Sequence, residues 1–145
     1  MLFRSVNQAD LLSGGTVDGS AGTDTLALAS SDTTLDLSST TLSSVEVILG
    51  NTNDNVVTVN QADLLSGGTV SGSAGTDTLA LVSSETTLDL SSTTLSSVEV
   101  ILGNTNDNVV TVNQADLLSG GTVDGSSGTD TLALVSSEKI GRAHV

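Results

Sequence analysis

The chain copies itself. Val6-Asn7-Gln8-Ala9-Asp10-Leu11-Leu12 returns at Val59 and again at Val112, both times after 53 residues. A fixed period of this kind marks solenoids, propellers and arrays, whose units bury apolar surface against their neighbours and need no single central core. The copies are nearly identical. Asp18 is answered by Ser71 and Asp124, Ala29 by Val82 and Val135, and Asp32 by Glu85 and Glu138. The sequence divides into repeat 1 at 6–58, repeat 2 at 59–111 and a partial repeat 3 at 112–138.

Both ends break the period. After Glu138 the copy should continue Thr-Thr-Leu-Asp-Leu, as it does after Glu85, but the chain reads Lys139-Ile140-Gly141-Arg142-Ala143-His144-Val145. Residues 140–145 resemble the translation of a sequencing adapter, and Met1-Leu2-Phe3-Arg4-Ser5 resembles its opposite strand. Segments 1–5 and 139–145 are therefore expected to be artefactual scars, frayed and dispensable.

Setting those ends aside changes the composition. Arg4, Lys139 and Arg142 are the chain's only basic residues besides His144. Residues 6–138 hold all 17 acidic residues and no Lys, Arg, His, Cys, Met, Pro or aromatic residue. A core of Leu, Val, Ile and Ala suits a narrow, layered interior. Abundant Ser, Thr, Gly and Asn beside β-branched Val favours strands and turns over long helices. An acid-only surface repels nucleic acid and anionic membranes and attracts cations. No apolar run approaches membrane-spanning length, so no membrane insertion is expected. The absence of cysteine leaves the redox compartment open.

Catalysis is not expected. A nucleophile needs a base, and residues 6–138 have neither His nor Lys. Asp36 and Glu46 are the obvious outward carboxylates for glycosidase chemistry, but solvated strand faces explain them better. Gly14-Gly15 lacks the following Lys of a phosphate loop.

Along repeat 2, residues 60–68 read as a single helical turn capped by Asn60, with Asp63 near its positive end and Gly67 as its stop. Thr69-Val70 opens a strand, and residues 72–77 form a tight turn. Thr78–Leu81 and Thr87–Leu90 alternate as strands, Asp89 outward. Residues 95–102 read as the longest strand, with Val98, Val100 and Leu102 on one face; Val109–Val112 closes the unit. Five short strands per repeat point to an all-β fold. The expectation is a right-handed parallel β-solenoid of about five coils, about two per 53-residue repeat, with Leu26 and Leu28 stacked over Val57 and Val59. An uncapped solenoid leaves edge strands at its ends, so self-association through the open ends is expected.

Gly19-Ser20-Ala21-Gly22-Thr23-Asp24-Thr25-Leu26-Ala27 resembles the calcium-binding nonapeptide of RTX-type β-roll proteins, Ser20 standing where the motif has glycine. Residues 72–80 and 125–133 match equally well, and residues 50–58 carry a weaker echo. The resemblance implies calcium held in an oxygen cage between coils. The matching positions are Asp24, Asp77 and Asp130, with Asp54, Asp107, Asn55 and Asn108 as half-sites from a neighbouring coil. More broadly, the repeat is similar in style to repeat regions of large type I-secreted bacterial adhesins. That implies an extracellular or cell-surface setting and a spacer role. A third class rests on Thr23-x-Thr25, Thr76-x-Thr78 and Thr129-x-Thr131, which resemble the threonine ladders of ice-binding solenoids.

Overall fold

The structure is a computed structural model, of which residues 3–135 are described. Among these, fifteen short strands and three one-turn 3₁₀ helices follow one another. Every strand pairing is parallel, and each residue pairs with one a single coil further on: Thr25 with Val47, Val56 with Thr78, Val100 with Thr122. Hydrogen bonds between coils span 22 residues, which is the usual length of a coil. A slightly longer coil separates Thr16 from Thr41 and Thr69 from Thr94. The molecule is a β-solenoid.

The coils are three-sided. The first face stacks β1 (Phe3–Val6), β3 (Thr25–Leu28), β6 (Val47–Leu49), β8 (Thr69–Ser71) and β11 (Thr94–Ser96). The second stacks β4 (Thr34–Asp36), β7 (Val56–Val59), β9 (Thr78–Leu81), β12 (Val100–Leu102) and β14 (Thr122–Asp124). The third carries β2 (Thr16–Asp18) and β5 (Thr41–Ser43), then β10 (Thr87–Asp89), β13 (Val109–Val112) and β15 (Thr131–Leu134). The 3₁₀ helices fill the remaining levels: η1 (Gln8–Asp10) below β4, η2 (Gln61–Asp63) between β5 and β10, and η3 (Gln114–Asp116) above β11. Each face thus has six levels, and the described residues make about six coils.

One repeat, from β7 to β12 with η2, has seven elements, and one coil has three. A repeat therefore advances two and one-third coils, and each copy starts one face further round. The identical segment Thr-Leu-Ala-Leu lies on the first face as β3, the second as β9 and the third as β15. This makes the expected about two coils per repeat two and one-third, and the expected about five coils in all about six. It also corrects the stacking of Leu26 and Leu28 on Val57 and Val59. Leu26 pairs with Ile48, and Val57 pairs with Leu79. Val57 lies well over one coil beyond Leu26, so the two fall on different faces.

Most strands obey one short rule. The first residue is Thr or Val and faces outward, and the second is Leu, Val or Ile and faces inward. The inward residues of repeat 2 are almost wholly covered: Leu79 and Leu88 are 0 % exposed, Val70 2 % and Ile101 3 %. Outward Thr34, Val56, Thr78, Val100 and Thr122 form one continuous column of β-branched side chains down the second face. Such cross-strand neighbours are the unit of sheet stabilisation.

Three further expectations change. Residues 95–102 are two strands and not one. Ser97, at φ 50°, turns a corner between β11 and β12. Leu95, Val98 and Ile101 consequently point inward, while Val100 and Leu102 are only half-buried. The helical turn after Asn60 is 3₁₀ and ends at Leu64, short of Gly67, whose φ of 80° serves the following loop. With these, the repeat has six strands and not five. At the N-terminus, residues 3–5 belong to β1 and pair in register with β3, so this part of the expected scar extends the first face. The segment 139–145 lies outside the described residues.

Candidate functional site

The corners carry the polar residues, and there the motif positions fall into columns, one member per coil. At one corner Asn55, Asp77 and Glu99 stand on successive coils. The Asn55 backbone N–H donates to Asp77 Oδ1 at 2.8 Å, and the Asp77 N–H donates to Glu99 Oε2 at 2.8 Å. Another corner repeats the device, with the Asp24 N–H donating to Glu46 Oε2 at 2.8 Å. In the third, the Asn108 N–H donates to Asp130 Oδ1 at 2.8 Å. Each acid therefore satisfies the amide that the preceding coil exposes where its chain turns. A buried amide left unpaired would cost about 1–3 kcal/mol.

Asp54 and Asp107 work across the same gap. Asp54 Oδ1 accepts the Thr76 N–H at 2.8 Å, and Asp107 Oδ1 accepts the Thr129 N–H at 2.7 Å. Asn55 Oδ1 accepts the Asn51 N–H at 2.7 Å, while its Nδ2 donates to Asn51 Oδ1 at 3.1 Å. Asn108 makes the same pair of bonds with Asn104, at 2.7 and 3.0 Å. Asn104 in turn donates to the carbonyls of Val82 and Glu85, both at 2.7 Å. The expected half-sites thus do come together in space. Their oxygens are turned toward backbone amides, and among the described residues no group of three or more acidic or His side chains is arranged to hold a metal.

Asp77 is the exception in one respect. Its residue is 2 % exposed, and Oδ2 has no hydrogen-bond partner among the described residues. Gly72 packs against this carboxylate so closely that a Cβ there would collide with it and with the Ser97 carbonyl oxygen. Burial raises the Asp77 pKa above the ordinary carboxylate value, and the nearby negative charges of Glu99 and Asp54 add to the effect. Asp24 is equally buried, whereas Asp54, Asp107 and Asp130 are exposed.

Sequence reasoning placed Asp63 at the positive end of its helical turn but missed the burial of the 3₁₀ carboxylates. Asp63 and Asp116 are each 4 % exposed. Asp63 Oδ2 accepts the Asn60 N–H at 2.9 Å, closing the helical turn on itself. A backbone bond from Leu42 on the coil below also reaches Asp63, as the Leu95 N–H reaches Asp116 Oδ1 at 3.4 Å. Burial nonetheless raises the Asp63 pKa. The cue is present, since Asp63 falls one coil after Thr41 and Leu42, but the longer sequence repeat hides the coil period.

The other candidates separate. Asp36 Oδ1 is held by the Ser38 N–H at 2.9 Å and Glu46 caps Asp24, so both have structural tasks. Of each Thr-x-Thr pair, only the second residue lies in a strand, and the three pairs fall on three different faces. They build no shared ladder. No helix among the described residues is long and apolar enough to cross a membrane. Comparison with protein-family models, curated proteins and solved structures finds no match for this chain.

Proposed function

We propose that this chain is a non-catalytic structural segment, a rod that spaces or presents other parts of a secreted or cell-surface bacterial protein. The observation that carries this is the one-third turn left over by each repeat. Because successive copies face three directions in turn, no outward residue of the repeat can accumulate on one side of the rod. A binding solenoid needs such an enriched face, whereas a spacer gains from a uniform acidic surface that resists sideways aggregation. The test is small-angle scattering of arrays with three, six and nine repeats. Each added repeat should lengthen the particle by about 11 Å, from a coil spacing of about 4.8 Å, at constant cross-section. Growth in all dimensions would sink the rod.

A second reading, a module stabilised by calcium, is supported by the buried, unpartnered Oδ2 of Asp77 with Asp54 and Glu99 beside it. A bound cation would require these side chains to give up amide bonds, so its affinity should be weak, about 10⁻⁴–10⁻³ M as in other extracellular modules. Melting curves with calcium, magnesium and sodium at matched ionic strength decide it. A rise specific to calcium that Asp77→Asn removes supports the site; equal responses to all three leave only charge screening.

A further inference from the structure

We propose that a water molecule is built into the repeat, buried between coils beside the 3₁₀ turn and held by the Thr93 hydroxyl, the Asp63 carboxylate and the carbonyl oxygens of Glu46 and Leu65. Its place is set by the one irregularity of the solenoid. Where η2 stands in for a strand, the coil from Thr69 to Thr94 is longer than the usual 22 residues. A one-turn 3₁₀ helix extends no strand ladder to the coils on either side, and the loop that follows it leaves a gap. The gap is a cavity of about 10 Å³, lined from three successive coils: by Glu46 on the first, by Asp63, Leu65 and Gly68 on the second, and by Thr93 on the third. A cavity of about 10–15 Å³ is what one water needs for its centre.

The wall of this cavity is rich in acceptors. Gly68 lets two carbonyl oxygens approach: a Cβ on it would lie 2.9 Å from both the Glu46 and the Leu65 oxygen. Each of these already accepts one amide, from Thr69 at 2.7 Å and from Gly68 at 2.9 Å, and keeps a second lone pair. The Asp63 carboxylate accepts the Asn60 N–H and a backbone bond from Leu42, and as an ionised group it brings no donor. Thr93 closes the cavity from the next coil and is 4 % exposed. Its copy Thr40 is 5 % exposed, and the Thr40 Oγ1 has no hydrogen-bond partner among the described residues. A buried hydroxyl left in that state costs stability. One water meets both needs. It accepts the Thr93 hydroxyl proton and donates its own hydrogens to carboxylate and carbonyl oxygens, the bonding typical of a buried water. The lower part of the arrangement returns one repeat on, where Glu99, Asp116, Leu118 and Gly121 line a cavity of about 30 Å³. The water thus lets a longer coil stack on shorter ones without stranding a polar group.

Thr93→Val swaps the hydroxyl for a methyl of nearly the same size, whereas Thr93→Ser keeps the hydroxyl. Both are made in the full chain, and their circular dichroism is checked against the parent. Magnetic relaxation dispersion of the solvent oxygen nucleus then counts waters held inside the protein and is blind to protein hydroxyls. Parent and Thr93→Ser should give the same amplitude, and Thr93→Val should lose one water per chain. The melting temperature of Thr93→Val should fall, because the water loses its donor and the acceptors around it lose the water. A dry cavity predicts the opposite sign, since Thr93→Val would then replace an unpaired buried hydroxyl by a methyl and raise the melting temperature. An unchanged amplitude in folded Thr93→Val, or a higher melting temperature, overturns the proposal. So does a parent chain with no long-held water, whatever the variants do.

Discussion

Leu26 and Leu79 hold the same place in successive repeats, yet Leu26 packs in the first face of the solenoid and Leu79 in the second. The relation follows from seven elements per repeat against three per coil. The stacking partner is nevertheless the same in each copy: Leu26 pairs with Ile48, and Leu79 with Ile101, one repeat further on. The simple strand rule, outward Thr or Val and then inward Leu, Val or Ile, therefore holds on all three faces.

Core position against end position gives the first prediction. Leu79→Ala removes a side chain that is 0 % exposed and should cost about 2–5 kcal/mol. Leu132→Ala makes the same change in an identical local sequence at 52 % exposure and should cost well under half as much. Urea midpoints of the two variants compare them directly. Equal losses would mean that Leu132 is covered in solution.

Asn104 supplies the second. Its side chain is 8 % exposed and satisfies two carbonyls of the coil below, of Val82 and Glu85, while accepting from Asn106 and Asn108. Asn104→Ala orphans these groups and should destabilise by about 1–3 kcal/mol. Asn104→Asp keeps the acceptor but loses the Nδ2 donor against two carbonyl oxygens and should be at least as harmful. Thermal melts of both variants test the order; an Asp variant as stable as the parent would contradict the assigned amide orientation.

Gly75 supplies the third. It sits at φ 122°, and a Cβ there would lie 2.7 Å from the Asn53 carbonyl oxygen of the coil below. Gly75→Ala combines a backbone conformation that L-residues avoid with a clash against main chain, and should cost about 1–3 kcal/mol or more. Gly67, at φ 80°, has open space around its Cβ position, so Gly67→Asn should be nearly neutral. If the two substitutions lower the melting temperature alike, the tight inter-coil approach at Gly75 is not real.

Much of this architecture is legible in the sequence, and the parts that are not share one cause. The all-β class, the parallel stacking, the turn at residues 72–77 and the strands at Thr78 and Val109 follow from alternation and from glycine placement, which are local. The coil length is not local. Near-identity of the copies makes the long repeat the dominant period, and the coil spacing that brings Asn55, Asp77 and Glu99 together repeats no residue type. Hence the sequence points the acids toward a shared ion, whereas in the structure Asp77 and Asp130 accept amides of the coil before and Asp54 and Asp107 amides of the coil after. The bend at Ser97 is hidden for another reason: a non-glycine residue at positive φ has no strong sequence cue, and the apolar run around it reads as one strand.

The last prediction concerns pH. Burial raises the pKa of Asp63 and Asp77 in the folded chain, with Glu85 adding to the first and Glu99 and Asp54 to the second. A group whose pKa is higher folded than unfolded binds its proton more tightly when folded. Its contribution is fully present below the unfolded value of about 4 and is lost as pH rises through the folded value. These two acids therefore make the fold more stable toward mildly acidic pH. Asp89 runs the other way. Hydrogen bonds from the Ser91 side chain and backbone hold its pKa down, so its contribution is present above about 4 and lost as pH falls through its lowered value. The melting temperature should accordingly rise as pH is lowered from neutral through the raised values of Asp63 and Asp77, then turn down as pH falls through the lowered value of Asp89. Asp77→Asn retains an oxygen for the Asn55 amide and deletes the charge facing Glu99 and Asp54. It should raise the melting temperature at pH 7 and flatten the slope on the acid side of neutral, above about pH 4, while Asp89→Asn should leave that slope unchanged. An Asp77→Asn chain that keeps the parent's full pH slope would show that the buried carboxylate is not what the pH acts on.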